Sequence, residues 1–330
     1  MTTPIRLSVI LPVYYNAGSL EALLTEFENA LASDLAIGEY EMLFVDDGSP
    51  DASLEILKRL AADHPCVRIV KLTRNFGQVP AILAGLSHAR GEYAATCSAD
   101  GQDPASLILG MFRKAAAERC HVVIGTRETR DEPFATRAIG LVFSLVMRWL
   151  ALRNYPVGGF DCLLLSRRCY TDISRQPEKS PFLHGLVLWM GYPVATVPYH
   201  RRARFEGKSR WGISRKLAYL WNGLIGYSFA PIQAMSMLGI VSATAGLIYA
   251  GVVLIARVFF HATPIGWAPL MVVILVTSGV QMMMLSIIGQ YLKRTYDEVR
   301  PRPLFLVDEV LPPETETQIA PPPLIPGARQ

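Results

Sequence analysis

Polar residues able to do chemistry gather at four points in the first third of the chain, each directly after a short apolar run. Pro12-Val13-Tyr14-Tyr15-Asn16 closes the first run and Val45-Asp46-Asp47-Gly48-Ser49-Pro50-Asp51 the second. Lys71-Leu72-Thr73-Arg74-Asn75-Phe76-Gly77 closes the third, and Ser98-Ala99-Asp100-Gly101-Gln102-Asp103-Pro104 the fourth. In open α/β sheets ligands bind outside the carboxyl ends of the strands, so these strand ends are where a site belongs. A carboxylate there can accept from a ligand's N–H or hydroxyl, which suits Asp46, with the ring or hydroxyl of Tyr14 beside it. The same string also satisfies a strand, a turn and a capped helix, with Ser49 or Asp51 as the cap. Asp47 fits either reading. Arg74, Asn75 and Gly77 open a helical run, where free N–H groups and a guanidinium can meet a phosphate or carboxylate. A helix start with a solvated arginine has the same pattern. No GxGxxG or Walker A loop occurs, which excludes the usual nicotinamide and P-loop modes.

The elements that must carry these residues are legible in the hydrophobic pattern. RLSVILP, YEMLFVD, VRIVKLT, EYAATCS and HVVIGT are near-continuously apolar, as parallel strands buried on both faces are. Between them ALLTEFENALAS, ASLEILKRLAAD, QVPAILAGLSHA and PASLILGMFRKAAAE place apolar residues at helical spacing. This alternation predicts a doubly wound α/β domain over the first two hundred or so residues.

The 330 residues carry 32 basic and 28 acidic side chains, a net charge of +4, and only 18% of them are charged. That balance excludes a general nucleic-acid binder and an acidic tail. Mean hydropathy is +0.27, an average over two unlike parts, because the charges crowd into the first two thirds. Residues 217–256 carry no formal charge, and residues 258–292 contain only His261 as a titratable ring of note. A membrane-spanning helix needs about 20 apolar residues, so each stretch is long enough. The spans are expected at Ile232 to Phe259, just after Pro231, and at Pro269 to Leu292, with a polar turn at His261 to Trp267. Basic residues flank the outer sides: Arg210, Arg215 and Lys216 before, Lys293, Arg294, Arg300 and Arg302 after. The positive-inside bias therefore puts both ends of the hairpin, and both termini, in the cytoplasm.

Five cysteines (Cys66, Cys97, Cys120, Cys162, Cys169) lack metal or redox spacing and read as reduced thiols of a cytosolic domain. The opening MTTPIRLSVILPVYYN is short, strand-like and without a small-residue cleavage site, so no signal peptide is expected. FATRAIGLVFSLVMRWLALR and ISRKLAYLWNGLIGYSF are amphipathic, with Arg beside Trp149 and Arg215 and Lys216 beside Trp221, which suits helices in the headgroup plane. The expected organisation is a catalytic domain at 1–210 with an interfacial helix at 134–153. A juxtamembrane amphipathic helix follows at 211–230 and a transmembrane hairpin at 231–292. A cytoplasmic tail follows at 293–330, Pro-rich, without periodicity and expected to be disordered from 311 onward.

The strings SVILPVYYNAGSL, FVDDGSPDAS, KLTRNFGQVPAILAGL, SADGQDP and RRARFEGKSRWG, the last followed by two spans, together resemble the inverting family-2 glycosyltransferases. Within that family they are similar to the membrane-anchored polyprenyl-phosphate glycosyltransferases of the dolichol-phosphate mannose synthase type. The resemblance covers residues 6 to 300. It implies a GT-A-type doubly wound, mostly parallel sheet, interfacial helices and a two-helix transmembrane hairpin. It implies transfer of a sugar from a nucleotide diphosphate donor, a UDP-sugar, to undecaprenyl phosphate at the cytoplasmic face. The nucleotide-binding residues it implies are Pro12, Tyr14, Asn16, Asp46, Asp47, Ser49, Arg74, Asn75 and Asp100.

A diphosphate leaving group needs a counter-charge, and Mg2+ or Mn2+ held by hard oxygen ligands supplies it. The family string DADLQDP stands here as SADGQDP, so a serine replaces the first carboxylate. Metal binding carries over to Asp100, to Gln102 and, through a weaker hydroxyl ligand, to Ser98. The family acid in Gly-Asp-Phe-Arg lies two places later here, in Gly158-Gly159-Phe160-Asp161, which makes Asp161 the acceptor-side catalytic candidate and Asp103 the reserve. On a strand, a shift of two keeps the side chain on its face but moves it about 6 to 7 Å. Arg201-Arg202-Ala203-Arg204-Phe205-Glu206-Gly207-Lys208-Ser209-Arg210-Trp211 matches the family string R-x-x-R-x-x-G-x-S-K-Y, with Arg210 and Trp211 for Lys and Tyr. Clustered guanidiniums near a membrane bind a lipid phosphate bidentately or anchor to anionic lipid generally. Arg201, Arg204, Ser209 and Arg210 are the acceptor-phosphate residues this match implies.

The implied partners are a nucleotide-sugar donor, a polyprenyl phosphate and a bilayer; a homo-oligomer is compatible with the chain. Two other readings compete. A processive polysaccharide synthase would carry Q-x-x-R-W and more spans, whereas Gly207 stands where the glutamine should be. A non-catalytic nucleotide-sugar-binding scaffold draws support from Ser98 and the displaced acid.

Overall fold

All five expected strands form, and three further strands extend the sheet they make. The computed structural model describes residues 5–32, 34, 38–127, 141, 144–156, 159–175, 182–202, 221–260, 268–300 and 302–312. In chain order the elements of the first half are β1 (Leu7–Val13), α1 (Leu20–Ala32), β2 (Tyr40–Asp46), α2 (Ser53–Asp63), β3 (Val67–Leu72), α3 (Gln78–His88), β4 (Tyr93–Thr96), α4 (Ala105–Glu118) and β5 (Val122–Arg127). There follow β6 (Phe160–Ser166), α5 (Arg167–Ser174), α6 (Leu183–Trp189), β7 (Val194–Tyr199), α7 (Ala230–Phe260), α8 (Ala268–Val299) and β8 (Val307–Leu311). The sheet runs β7-β5-β6-β4-β1-β2-β3-β8. The pairings β1/β2, β1/β4, β2/β3 and β5/β7 are parallel, while β4/β6, β5/β6 and β3/β8 are antiparallel.

The central strands are buried on both faces, which is why they read as unbroken apolar runs. On one face Leu7, Val9, Leu11, Met42, Phe44 and Ile69 meet α1, α2 and α4 through Leu23, Phe27, Leu57, Ile108 and Phe112. Helix α1 buries Leu20, Leu23, Leu24, Phe27 and Leu31, the spacing of a single stripe. On the other face α3 lies close: a Cβ on Gly85 would stand 2.4 Å from Ile10. At the amino ends of the strands a buried network holds the sheet in register. Arg68 pairs with Glu41 at 2.8 Å, and Ser8 and the Arg90 N–H donate to the same carboxylate at 2.5 and 2.8 Å. A buried ion pair needs further hydrogen bonds around it, and Arg68 also donates to the His88 carbonyl at 3.1 Å.

The chain divides into two compact units, Met1–Lys216 with Arg302–Gln330, and Leu217–Pro301. The second holds α7 and α8, both long and apolar enough to cross a membrane, by length and composition, at Ala230–Ala256 and Leu270–Val299. Their apolar side chains are exposed, Leu247 at 75% and Phe259 at 73%. Within this unit the Tyr291 hydroxyl donates to the Ser228 carbonyl at 3.0 Å. Residues 144–150 and 221–227 are helical, and Trp149 is 85% exposed while Met147 is buried. The rest of the two amphipathic stretches, the His261 to Trp267 turn and the tail beyond 312 lie outside the described residues.

Candidate functional site

The carboxyl ends of β1 to β4 converge, and side chains rather than helices bind the loops there to one another. After β1, Asn16 works as a cross-brace. Its side-chain Oδ1 accepts the Tyr14 N–H at 2.9 Å, its side-chain amide donates to the Ala99 carbonyl at 3.3 Å, and its main-chain N–H donates to Ser53 Oγ at 3.1 Å. Tyr15 takes a left-handed backbone (φ 60°), and the rings of Tyr14 and Tyr15 meet edge-on at 4.8 Å, both partly exposed. Pro12 lies beyond the last β4 pairing, Ile10 with Thr96, so its missing N–H costs no bond on that side.

Asp46 ends β2 and is buried, opposite Val13 of β1 and Lys71 of β3. Burial pushes its carboxyl above the usual range, opposed by hydrogen bonds from Ser49 and by the Lys71 charge. The Ser49 N–H donates to Asp46 at 3.2 Å and the Ser49 hydroxyl to the Val13 carbonyl at 3.4 Å. Ser49 therefore turns back to the sheet, and Asp51 serves the start of α2: it accepts from the Ser53 N–H and the Ala17 N–H, both at 3.3 Å. Asp47 has a different task. Its two oxygens accept the N–H groups of Phe76 and Gly77 at 2.6 and 2.9 Å. This clamps the Arg74 turn onto the β2 loop, and Gly48 (φ 66°) makes the contact because a Cβ would stand 2.8 Å from the Arg74 backbone. Burial raises the Asp47 carboxyl, with those two N–H groups opposing. Arg74 lies over the Phe76 ring at 4.1 Å and donates to the Asn75 carbonyl at 3.1 Å.

Beyond β4 the Ser98 hydroxyl stands 2.7 Å from an oxygen of Asp100 and 2.7 Å from an oxygen of Asp103. The hydroxyl has one proton to offer the two carboxylates, and their paired negative charge suits a cation. Asp100 also accepts the Gln102 N–H at 3.2 Å. Asp103 is buried and takes the Ser98 N–H at 3.1 Å and the Tyr199 hydroxyl at 3.0 Å, so it anchors the loop. The donor set of Asp100, Ser98 and Gln102 is all hard oxygen and fits Mg2+ or Mn2+. Among the described residues no group of three His, Cys, Asp or Glu forms a closed metal cage. Mg2+ commonly completes such a partial protein set with water or phosphate oxygens. Beneath the loop Cys162 is buried, its thiol pushed up by its hydrogen bond to Cys97 and by burial; all five cysteines are free thiols.

The acceptor-side candidates reach the same edge because β6 runs antiparallel to β4. Asp161, the second residue of β6, is exposed, and its carboxylate lies 3.4 Å from Arg201. Residues after β7 are tied to the loop after β4: the Arg202 N–H donates to the Gln102 carbonyl at 3.1 Å, and Arg202 pairs with Glu26 at 2.9 Å. Arg204, Ser209 and Arg210 lie outside the described residues. Nothing local in the sequence marks Tyr199 or Glu26, whose partners are 96 and 176 residues away.

Comparison with known proteins gives this arrangement its class. Residues 8–166 match the family described as Glycosyl transferase family 2. Over 310 residues the chain is 33% identical to the uncharacterized glycosyltransferase YkcC of Bacillus subtilis strain 168, covering 94% of this chain and 95% of that one. It is 28% identical over 312 residues to the prophage bactoprenol glucosyl transferase homolog of Escherichia coli K12, covering 92% and 99%. A solved structure, mannosyltransferase PcManGT from Pyrobaculum calidifontis with GDP-Man and Mn2+, aligns at a TM-score of 0.45 with 18% identity, over 90% of this chain and 86% of that one. The chain belongs to glycosyl transferase family 2 and is a glycosyltransferase.

Proposed function

We propose that this glycosyltransferase moves one sugar, with inversion, from a UDP-sugar to undecaprenyl phosphate at the cytoplasmic face of the membrane. The observation that carries the reading is the bond between Gln102 and Arg202, which joins the carboxylate loop after β4 to the segment opening the basic string. Donor-side and acceptor-side residues thus share one edge of the sheet. The acceptor class rests on that basic string, on two helices whose exposed apolar side chains suit hydrocarbon, and on relatives named bactoprenol glucosyl transferase. The orientation rests on the basic residues flanking the hairpin.

In this reading Asp46 accepts from the nucleobase, Tyr14 flanks it, and the Arg74 turn faces the diphosphate. Asp100, with Ser98 and Gln102, would hold Mg2+ or Mn2+, which when bound supplies counter-charge to the leaving diphosphate. The acceptor is already an anion near neutral pH, so positioning does most of the work. Arg201 and the arginines of the basic string orient the lipid phosphate for attack opposite the leaving group. Asp161 is held by Arg201 on the acceptor side. The test is to incubate the purified protein in lipid nanodiscs with labelled nucleotide sugars, Mg2+ or Mn2+ and undecaprenyl phosphate. A lipid-linked monosaccharide with inverted anomeric configuration is expected; nucleotide binding with no glycolipid from any donor would refute transfer.

A further inference from the structure

Strand β8 lies far outside residues 8–166, yet it completes the sheet on the donor side. It pairs antiparallel with β3, Ile69 opposite Leu311, Val70 opposite Val310 and Lys71 opposite Glu309. Leu72 is then opposite Val307, so Asp308 is the extra residue of a bulge. The attachments concentrate where β3 runs into the Arg74 turn. The Thr73 N–H donates to the Leu306 carbonyl at 3.0 Å, the Lys71 ammonium donates to Asp308 at 2.6 Å, and Lys58 of α2 faces Glu309 at 3.7 Å. The far side of the same turn is held by Asp47, through Phe76 and Gly77.

Lys71 is also the ladder partner of Asp46. Paired residues of neighbouring strands point to the same face, so the ammonium and the buried carboxylate share one side of the sheet. An ammonium released by Asp308 would be drawn to Asp46, where low solvent access strengthens the attraction. The carboxylate would then be taken by the protein's own cation.

We infer that β8 is a positioning element of the donor site: Asp308 holds Lys71 away from Asp46, and the Leu306 carbonyl fixes Thr73, so that the Asp46 carboxylate is not taken by the ammonium and can accept from a nucleobase. The inference rests on reading Asp46 as a donor contact. Its test uses the full-length protein in nanodiscs, with calorimetric affinity for UDP as the first readout and the KM for undecaprenyl phosphate as the second. Lys71 and Asp308 are both partly exposed, at 30% and 47%, so loss of the pair leaves the fold in place, which an unchanged thermal midpoint checks. Asp308→Asn is expected to weaken UDP binding about fivefold and leave the acceptor KM unchanged. Adding Lys71→Gln removes the competing ammonium and returns UDP affinity to within about twofold of wild type, a rescue that a merely structural ion pair would not give. Unchanged affinity in Asp308→Asn, or a double variant no better than the single, overturns the inference. Wild-type protein that binds UDP but makes no glycolipid refutes the transfer reading alone, and the UDP affinities still decide the role of β8. Wild-type protein that binds no UDP overturns both.

Discussion

Ser98 and Asp103 are joined twice, by the serine N–H at 3.1 Å and by its hydroxyl at 2.7 Å, and the same hydroxyl reaches Asp100. Ser98 thus has one hydroxyl proton to offer two carboxylates. Ser98→Asp would put a third carboxylate among them. Like charges at this distance cost about 1–2 kcal/mol, so the variant should melt several degrees below wild type in chelator. Mn2+ should then stabilise it more than it stabilises wild type. Melting curves with and without Mn2+ check this, and an unchanged midpoint in chelator would mean the loop holds the extra charge apart.

Asp100 carries the metal assignment most directly. Asp100→Asn keeps the shape and removes the charge, so glycolipid formation should fall by about 100-fold or more at saturating Mg2+, with the thermal midpoint within a few degrees of wild type. Turnover near wild type across a Mg2+ and Mn2+ titration would remove Asp100 from that role.

Asp47 predicts a different phenotype. Asp47→Ala leaves the N–H groups of Phe76 and Gly77 without their acceptor, at a cost of about 2–3 kcal/mol. Stability should fall and the amides of Phe76 and Gly77 should exchange faster, whereas Asp46→Asn should lower donor affinity with little change in the melt. If the two variants behave alike, the division between clamp and contact is wrong.

The part of the fold that periodicity makes legible is the part built by local rules. Strands β1 to β5 are apolar runs because they are buried, and the four helices between them carry a stripe each. The later strands obey other constraints. Pro198 and alternating exposure mark β7 as an edge strand, and β8 reads VDEVL, two acids in five residues, whose partner Lys71 is 237 residues earlier. No window on the chain contains that information. The site divides the same way: spacing marks Asp46, Asp47 and Asp100 as strand-end carboxylates, but only the folded loops separate them. Asp47 clamps a turn 29 residues on, while Asp46 accepts from Ser49, three residues away.

Burial raises both Asp46 and Asp47, and the consequences for folding and for binding have opposite signs. A carboxyl that binds its proton more tightly when folded contributes most stability at pH below its unfolded value, and that contribution is lost as pH rises through the raised folded value. In the proposed reading the donor is bound by the ionised Asp46 carboxylate, so UDP affinity should drop as pH falls, beginning above the ordinary carboxylate range. Calorimetric titration of UDP between about pH 4 and 7 reads the inflection. It should vanish in Asp46→Asn, and an inflection that survives there belongs to another group.

Arg201 faces Asp161 at 3.4 Å, with 22% of its side chain exposed. Among the described residues its Nε is buried and without a hydrogen-bond partner, so the guanidinium has a donor to spare. An arriving phosphate dianion would compete with Asp161 for that guanidinium, and bidentate geometry favours the phosphate. Arg201→Ala should therefore raise the KM for undecaprenyl phosphate about tenfold or more while UDP affinity stays within about twofold. Arg201→Lys should recover only part of this, because a point charge cannot reproduce the fork. Asp161→Asn separates the two roles of the pair. If the carboxylate only holds Arg201, the acceptor KM rises and kcat is kept; if it also takes part in transfer, kcat falls at saturating acceptor. An acceptor response unchanged in all three variants would take the pair out of the lipid-phosphate site and leave that task to the arginines farther along the basic string.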